Sequence, residues 1–144
     1  PTAQDPLLHF FSSLIMRDGK RKTSDKTIAH MLLHIRAMTR SEPLPILRAA
    51  VQRASPFVKC VGMRKGAKMI WYPTALSEKQ RAHRGIMAIF EASNKRPGQT
   101  LAQRLAREVI AIVIAEKPQD NEVLSKKEQE HKFVMVNRSV VCHP

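Results

Sequence analysis

Six histidines, two cysteines and 12 carboxylates are the side chains from which this chain could build a catalytic or metal centre. His30 and His34 stand at i, i+4, the spacing that lets two imidazoles on one helix face reach one metal. Met31, however, occupies the place where HExxH carries its glutamate, and no third ligand is evident. An ordinary helix face fits this pair better. Cys142-His143 with the remote Cys60 is too sparse for zinc. Glu128 and Glu130 are close in sequence, but an i, i+2 spacing on a helix points them apart. A two-metal nuclease needs carboxylates that converge on one site. The sequence offers no obvious set of that kind, and no P-loop, nucleophile elbow or G-x-G-x-x-G run occurs. The expectation is no enzyme, no metal and no cofactor.

The cations carry more information. Lys and Arg number 25 against 12 Asp and Glu, a net charge of +13. An excess of that size repels itself unless a polyanion neutralises it, so nucleic acid is the leading partner class. An anionic membrane surface is the weaker alternative, because the cations are spread over several elements rather than along one amphipathic helix. No carboxylate lies between Glu42 and Glu78, whereas Arg48, Arg53, Lys59, Arg64, Lys65 and Lys68 all fall there. Further cations mark element ends: Lys20-Arg21-Lys22, Lys95-Arg96 and Lys126-Lys127. A Lys pair at a helix N-terminus opposes the macrodipole, a placement that suits a phosphate bound there. RNA is favoured over DNA, since no recognition-helix or zinc-finger spacing appears. Trp71 and Tyr72 suit stacking on unpaired bases, or anchoring to the core.

Helices must position these groups. Asp5-Pro6 predicts a first helix, with Leu7, Phe10, Phe11, Leu14 and Ile15 on one face and Gly19 as its stop. A second is expected from about Ser24 to Met38, burying Ile28, Met31, Leu32, Ile35 and Met38. Glu42-Pro43 opens a third, stepping through Leu44, Leu47, Val51, Ala54 and Val58. Ser77 with Gln80, Thr100 with Gln103, and Ser125 with Glu128 each match a capping box and predict three more helices. Between the third and fourth, VKCVGMRKGAKMIWYP has strand-like composition around Gly62 and Gly66. It reads as a hairpin arm at about residues 57–73 with a cationic tip. The fold class is thus mainly α, about six helices with one inserted β-hairpin, in a single domain over residues 1–144. The longest apolar run, Val109 to Ala115, is far too short for a bilayer span. The opening PTAQDP has neither an initiator Met nor a signal-peptide core, which predicts a processed or trimmed chain.

Four segments occur in a telling order: LIMRDGKRKTSDKTI, the arm, TLAQRLAREVIA and KKEQEHKFVMVNRS. Together they resemble the small-subunit ribosomal protein seven family over nearly the whole chain. The resemblance implies a six-helix bundle with a hairpin arm, binding to the 3′ major domain of small-subunit rRNA, and nucleation of head assembly. It implies that the arm lies near the exit-site tRNA and the mRNA exit, beside neighbouring head and platform proteins. By the same resemblance Lys20, Arg21, Lys22, Arg64, Lys65, Lys68, Lys126, Lys127, His131 and Arg138 are rRNA contacts. Arg81, Arg84, Lys95, Arg96, Arg104 and Arg107 form a second tier. Arg64, Lys65, Lys68 and Trp71 are the positions that approach tRNA or mRNA.

The arm reads MRKGAK where bacterial members carry paired arginines and Gly-Gly, and the chain ends VVCHP instead of an aromatic-rich tail. These departures resemble a mitochondrial member, with a plastid or bacterial cytoplasmic origin as alternatives. A basic helical DNA-binding protein is the competing function.

Overall fold

Asp5 opens α1 (Pro6–Ile15) as its oxygen implies: the carboxylate accepts the Leu7 N–H at 2.9 Å, and Pro6 takes the first turn. The computed structural model describes residues 5–137. After α1 come α2 (Arg21–Thr39), α3 (Pro43–Ala54), β1 (Val58–Lys65), β2 (Lys68–Ala75), α4 (Glu78–Ser93), α5 (Leu101–Ile114) and α6 (Glu122–Val136). A single 3₁₀ turn at Pro118–Asp120 leads into α6. Among the described residues, six helices and one antiparallel hairpin between α3 and α4 match the expected architecture.

α5 sits at the centre and packs on α2, α3 and α4. Its apolar run explains that place: Leu105, Val109 and Ile112 are wholly buried, against Ile28, Met31 and Ile35 of α2, Leu47 of α3, and Ile86 and Ile89 of α4. Each such side chain contributes roughly 1.5–3 kcal/mol by leaving water. α6 is peripheral. It buries only Val123, Leu124 and Val134, and touches α3, α4 and β1.

Polar groups inside the bundle are paired, and among the described residues no buried side-chain nitrogen or oxygen lacks a partner. Glu108, 1% exposed, accepts from Arg96 Nε at 2.7 Å and from Asn121 Nδ2 at 3.1 Å. Asn121 Oδ1 in turn accepts the Val123 N–H, so one buried carboxylate ties the α4–α5 loop and α5 to the start of α6.

Several boundaries differ from expectation. α1 stops at Ile15, four residues before Gly19, and the chain reverses through Asp18 and Gly19, both at positive φ. Met38 is 49% exposed rather than buried, and the buried stripe of α2 ends at Ile35. α3 ends at Ala54, since Pro56 disfavours helical backbone at Ser55, and Val58 belongs to β1 instead. Ser77 and Gln80 complete both halves of their box. Thr100 accepts from Gln103 N, but the Gln103 side chain reaches Gln99 N rather than the cap itself. The third box does not exist: Asn121 caps α6, and Ser125 lies one turn inside it.

Candidate nucleic-acid interface

The hairpin closes with Gly66 and Ala67 between paired Lys65 and Lys68, and Gly66 takes the φ of +61° that the tight reversal requires. Residues that pair across the strands share a face. Gly62, Arg64, Met69 and Trp71 therefore lie on one side, and Lys59, Val61, Lys65, Lys68, Ile70 and Tyr72 on the other. The three expected tip cations diverge: Lys65 and Lys68 stand together, and Arg64 faces away from them. Arg64 Nε folds back to the Gly66 carbonyl at 3.3 Å. The side chains of Lys65 and Lys68 meet no hydrogen-bond or ion-pair partner among the described residues.

The root of the arm is clamped, which sequence reasoning missed. Phe57 is 58% exposed, with the Arg81 guanidinium 3.9 Å and the Lys127 ammonium 5.6 Å from its ring centre. Its N–H donates to His131 Nε2 at 3.4 Å, and Arg81 Nε donates to the Pro56 carbonyl. No local pattern signals the clamp, since Arg81 comes from α4 and Lys127 and His131 from α6.

Two cations converge below this root. Lys127 Nζ donates to the Arg53 carbonyl at 2.8 Å, and Arg53 Nη1 to the Ile112 and Val113 carbonyls at 2.6 and 3.2 Å. They satisfy the free carbonyls at the ends of α3 and α5. Burial lowers the pKa of Lys127, and the Arg81 and Arg53 charges push the same way. Burial also lowers that of His131, with Lys127 adding to the effect. Nε2 accepts from Phe57, which like the burial favours the neutral ring. Arg53 was not among the expected contacts. Beside it an open groove of about 790 Å³ runs along α6, lined by Leu124, Met135 and Val136 among others.

The other expected contacts are dispersed. Lys126 and Lys127 do not sit at a helix N-terminus, because α6 begins at Glu122; no phosphate cradle forms there. Lys126 instead bonds Glu122 one turn back at 2.8 Å, and Lys95 reaches the same carboxylate at 2.6 Å. The two ammonium groups pull the pKa of Glu122 down to about 2. Arg84 pairs with Glu130 at 2.5 Å, Arg96 with Glu108, and Arg104 and Arg107 with the carbonyls of Gly98 and Pro97. The carboxylates of Glu130 and Glu108 are thus each held by an arginine. Arg21 bonds Ser13 Oγ at 2.9 Å, while Lys20 and Lys22 project from the start of α2, exposed and without side-chain partners among the described residues. Trp71 is 40% exposed and rests edge-on against Phe133 of α6, so it serves both the arm's footing and its surface. Arg138 lies outside the described residues. No helix is long and apolar enough to cross a membrane among the described residues.

The family model of ribosomal protein S7p/S5e matches residues 1–138. The small ribosomal subunit protein uS7m of Schizosaccharomyces pombe is 29% identical over 138 residues, 96% of this chain and 52% of the relative. The uS7 proteins of Thermotoga petrophila and Thermotoga maritima are 28% and 27% identical over 139 residues, 96% of this chain and 87% of each relative. The chain therefore spans about half the length of the yeast relative and most of the bacterial ones. It belongs to the ribosomal protein S7p/S5e family, whose members are structural constituents of the small ribosomal subunit and not enzymes.

Proposed function

We propose that this chain binds the 3′ major domain of small-subunit rRNA and nucleates assembly of the subunit head. On this reading residues 1–144 are one rRNA-binding domain. The helical body lies against the RNA, and the hairpin reaches toward the exit-site tRNA and the mRNA exit, beside neighbouring head and platform proteins. The uS7m name of the yeast relative supports a mitochondrial ribosome as the place of action. The observation that carries the proposal is the pair of unpartnered tip lysines, Lys65 and Lys68, within the acid-free interval. Cations held apart from carboxylates on a two-stranded projection are suited to phosphate oxygens. Lys20 and Lys22 at the start of α2 add a second point of attachment, and Lys127 and His131 a third at the arm's root.

The test is a titration of the protein with a transcript of the 3′ major domain across a range of salt, with duplex DNA and an unrelated structured RNA as competitors. Binding that survives excess competitor near physiological salt supports the proposal. Equal displacement by every polyanion would reduce the interaction to charge attraction alone.

A further inference from the structure

Trp71 is the chain's one tryptophan. Pairing across the hairpin places it opposite Gly62, with Met69 opposite Arg64, all on one face. Gly62 matters here for the space it leaves. A Cβ at that position would lie 2.8 Å from Met69 Cε and 3.0 Å from Trp71 Cζ3, so both side chains close over the bare backbone. From the other side Phe133 of α6 meets the indole at 5.9 Å between ring centres, with the planes 71° apart. Despite these contacts Met69 is 55%, Trp71 40% and Phe133 44% exposed. Large apolar groups gathered on an open surface mark a place where a partner settles.

The surrounding charge selects the partner. Arg64 shares the face, Lys65 and Lys68 stand beside the turn on the opposite face, and Glu130 of α6, whose charge reaches Cys60, is already paired with Arg84. An apolar protein side chain would cover the rings but leave those cations unmatched. An unpaired nucleobase brings a π-face for the rings and a phosphate for the cations.

We propose that Trp71, Met69 and Phe133 form a stacking platform for an unpaired RNA base, with Arg64 contacting an adjoining phosphate. This rests on the RNA-binding reading above and adds to it a site for single-stranded RNA. Gly62 acts as a positioning residue, since a side chain there would press on Met69 Cε and on the edge of the indole.

Because Trp71 has no other tryptophan to mask it, its emission reports directly on the site. Two probes are compared, a single-stranded oligoadenylate of 12 nucleotides and a blunt RNA duplex of equal length, both over a range of salt. Oligoadenylate is expected to quench Trp71, and the duplex to bind without quenching. Trp71→Ala should weaken oligoadenylate roughly tenfold, the scale of one stacked base, with no change in salt slope. Trp71→Phe should recover most of that loss. Arg64→Gln should instead lower the slope by about one. Gly62→Val keeps the fluorophore but should lose the quench, and helical circular dichroism checks the body of each variant. Binding of oligoadenylate with silent Trp71 emission, or an equal loss on the duplex with Trp71→Ala, overturns the platform. Those outcomes leave the rRNA proposal intact if the 3′ major-domain transcript still binds selectively. If neither that transcript nor either probe binds wild-type protein, both proposals fall together.

Discussion

In the helical body Arg53 donates to the carbonyls of Ile112 and Val113, Lys127 to that of Arg53, and Arg81 to that of Pro56; in the hairpin Lys65 and Lys68 reach no partner among the described residues. The two regions carry the same sign of charge and place it differently. Body cations close the ends of helices, where free carbonyls favour a positive group. Guanidinium groups so used still have N–H donors to spare, but removing them disturbs the fold as well as any RNA contact. Tip cations have no such second task. The difference teaches that a net charge of +13 is not one property: part of it is scaffold and part is available to a partner.

Neutralising the tip should separate the two uses most sharply. Replacing Arg64, Lys65 and Lys68 together by Gln is expected to lower the salt slope of rRNA binding by about 2–3 units. Near 0.1 M salt that amounts to a loss of about two to three orders of magnitude in affinity. Stability should stay within about 0.5 kcal/mol of wild type, since all three side chains are exposed. A normal slope in a folded triple variant would remove the tip from the interface. The converse variant is Glu108→Ala. Arg96 can turn to solvent, but Asn121 is 97% buried by the complement of its 3% exposure and loses its acceptor. A loss of about 2–3 kcal/mol is expected in denaturant unfolding, with unchanged rRNA affinity per folded molecule. If affinity falls while stability holds, Glu108 has a role at the interface that its burial does not account for.

Those two variants also mark where sequence was legible. The six helices and the arm follow from apolar steps of three and four residues, from Pro and Gly punctuation, and from caps at Asp5, Ser77 and Thr100. All of these act within a few residues along the chain. Ser125 misled because Ser-Lys-Lys-Glu matches a capping box by composition, whereas Asn121, buried against Glu108, starts α6 one turn earlier. Asn121 carries a local cap to Val123, but its hold on Glu108, 13 positions away, is beyond the reach of a local pattern. Moving the start in turn moved Lys126 and Lys127 off the helix end. The clamp on Phe57 was hidden for the same reason, since Arg81, Lys127 and His131 come from α4 and α6. Positive charge was legible as composition, and its division between scaffold and tip was not.

The corrected start of α6 has its own test, smaller in size. Asn121→Ala should cost about 1–2 kcal/mol, because it removes a cap and the Glu108 partner at once. Ser125→Ala should change stability by less than about 0.5 kcal/mol. Equal costs at both positions would restore the rejected boundary.

The smallest effect belongs to His131, which stands between the two regions at the root of the arm. In the free protein its pKa lies below the usual 6.5 because burial and the Lys127 charge disfavour the imidazolium. The sign for stability follows: the unfolded chain binds the proton more readily, so the fold loses stability as pH falls from about 6.5 toward the lowered folded value. A phosphate placed beside the ring would act in the opposite sense and raise the pKa, so that binding takes up a proton. Affinity for rRNA should then rise as pH drops from about 7.5 to 6, by less than tenfold per pH unit because only one proton is involved. His131→Gln should flatten the dependence, and wild-type binding in buffers of different ionisation enthalpy should reveal the proton taken up. A flat wild-type profile would assign His131 to the scaffold, as the neutral acceptor of the Phe57 N–H, and would move the boundary between the two uses of charge outward along the arm.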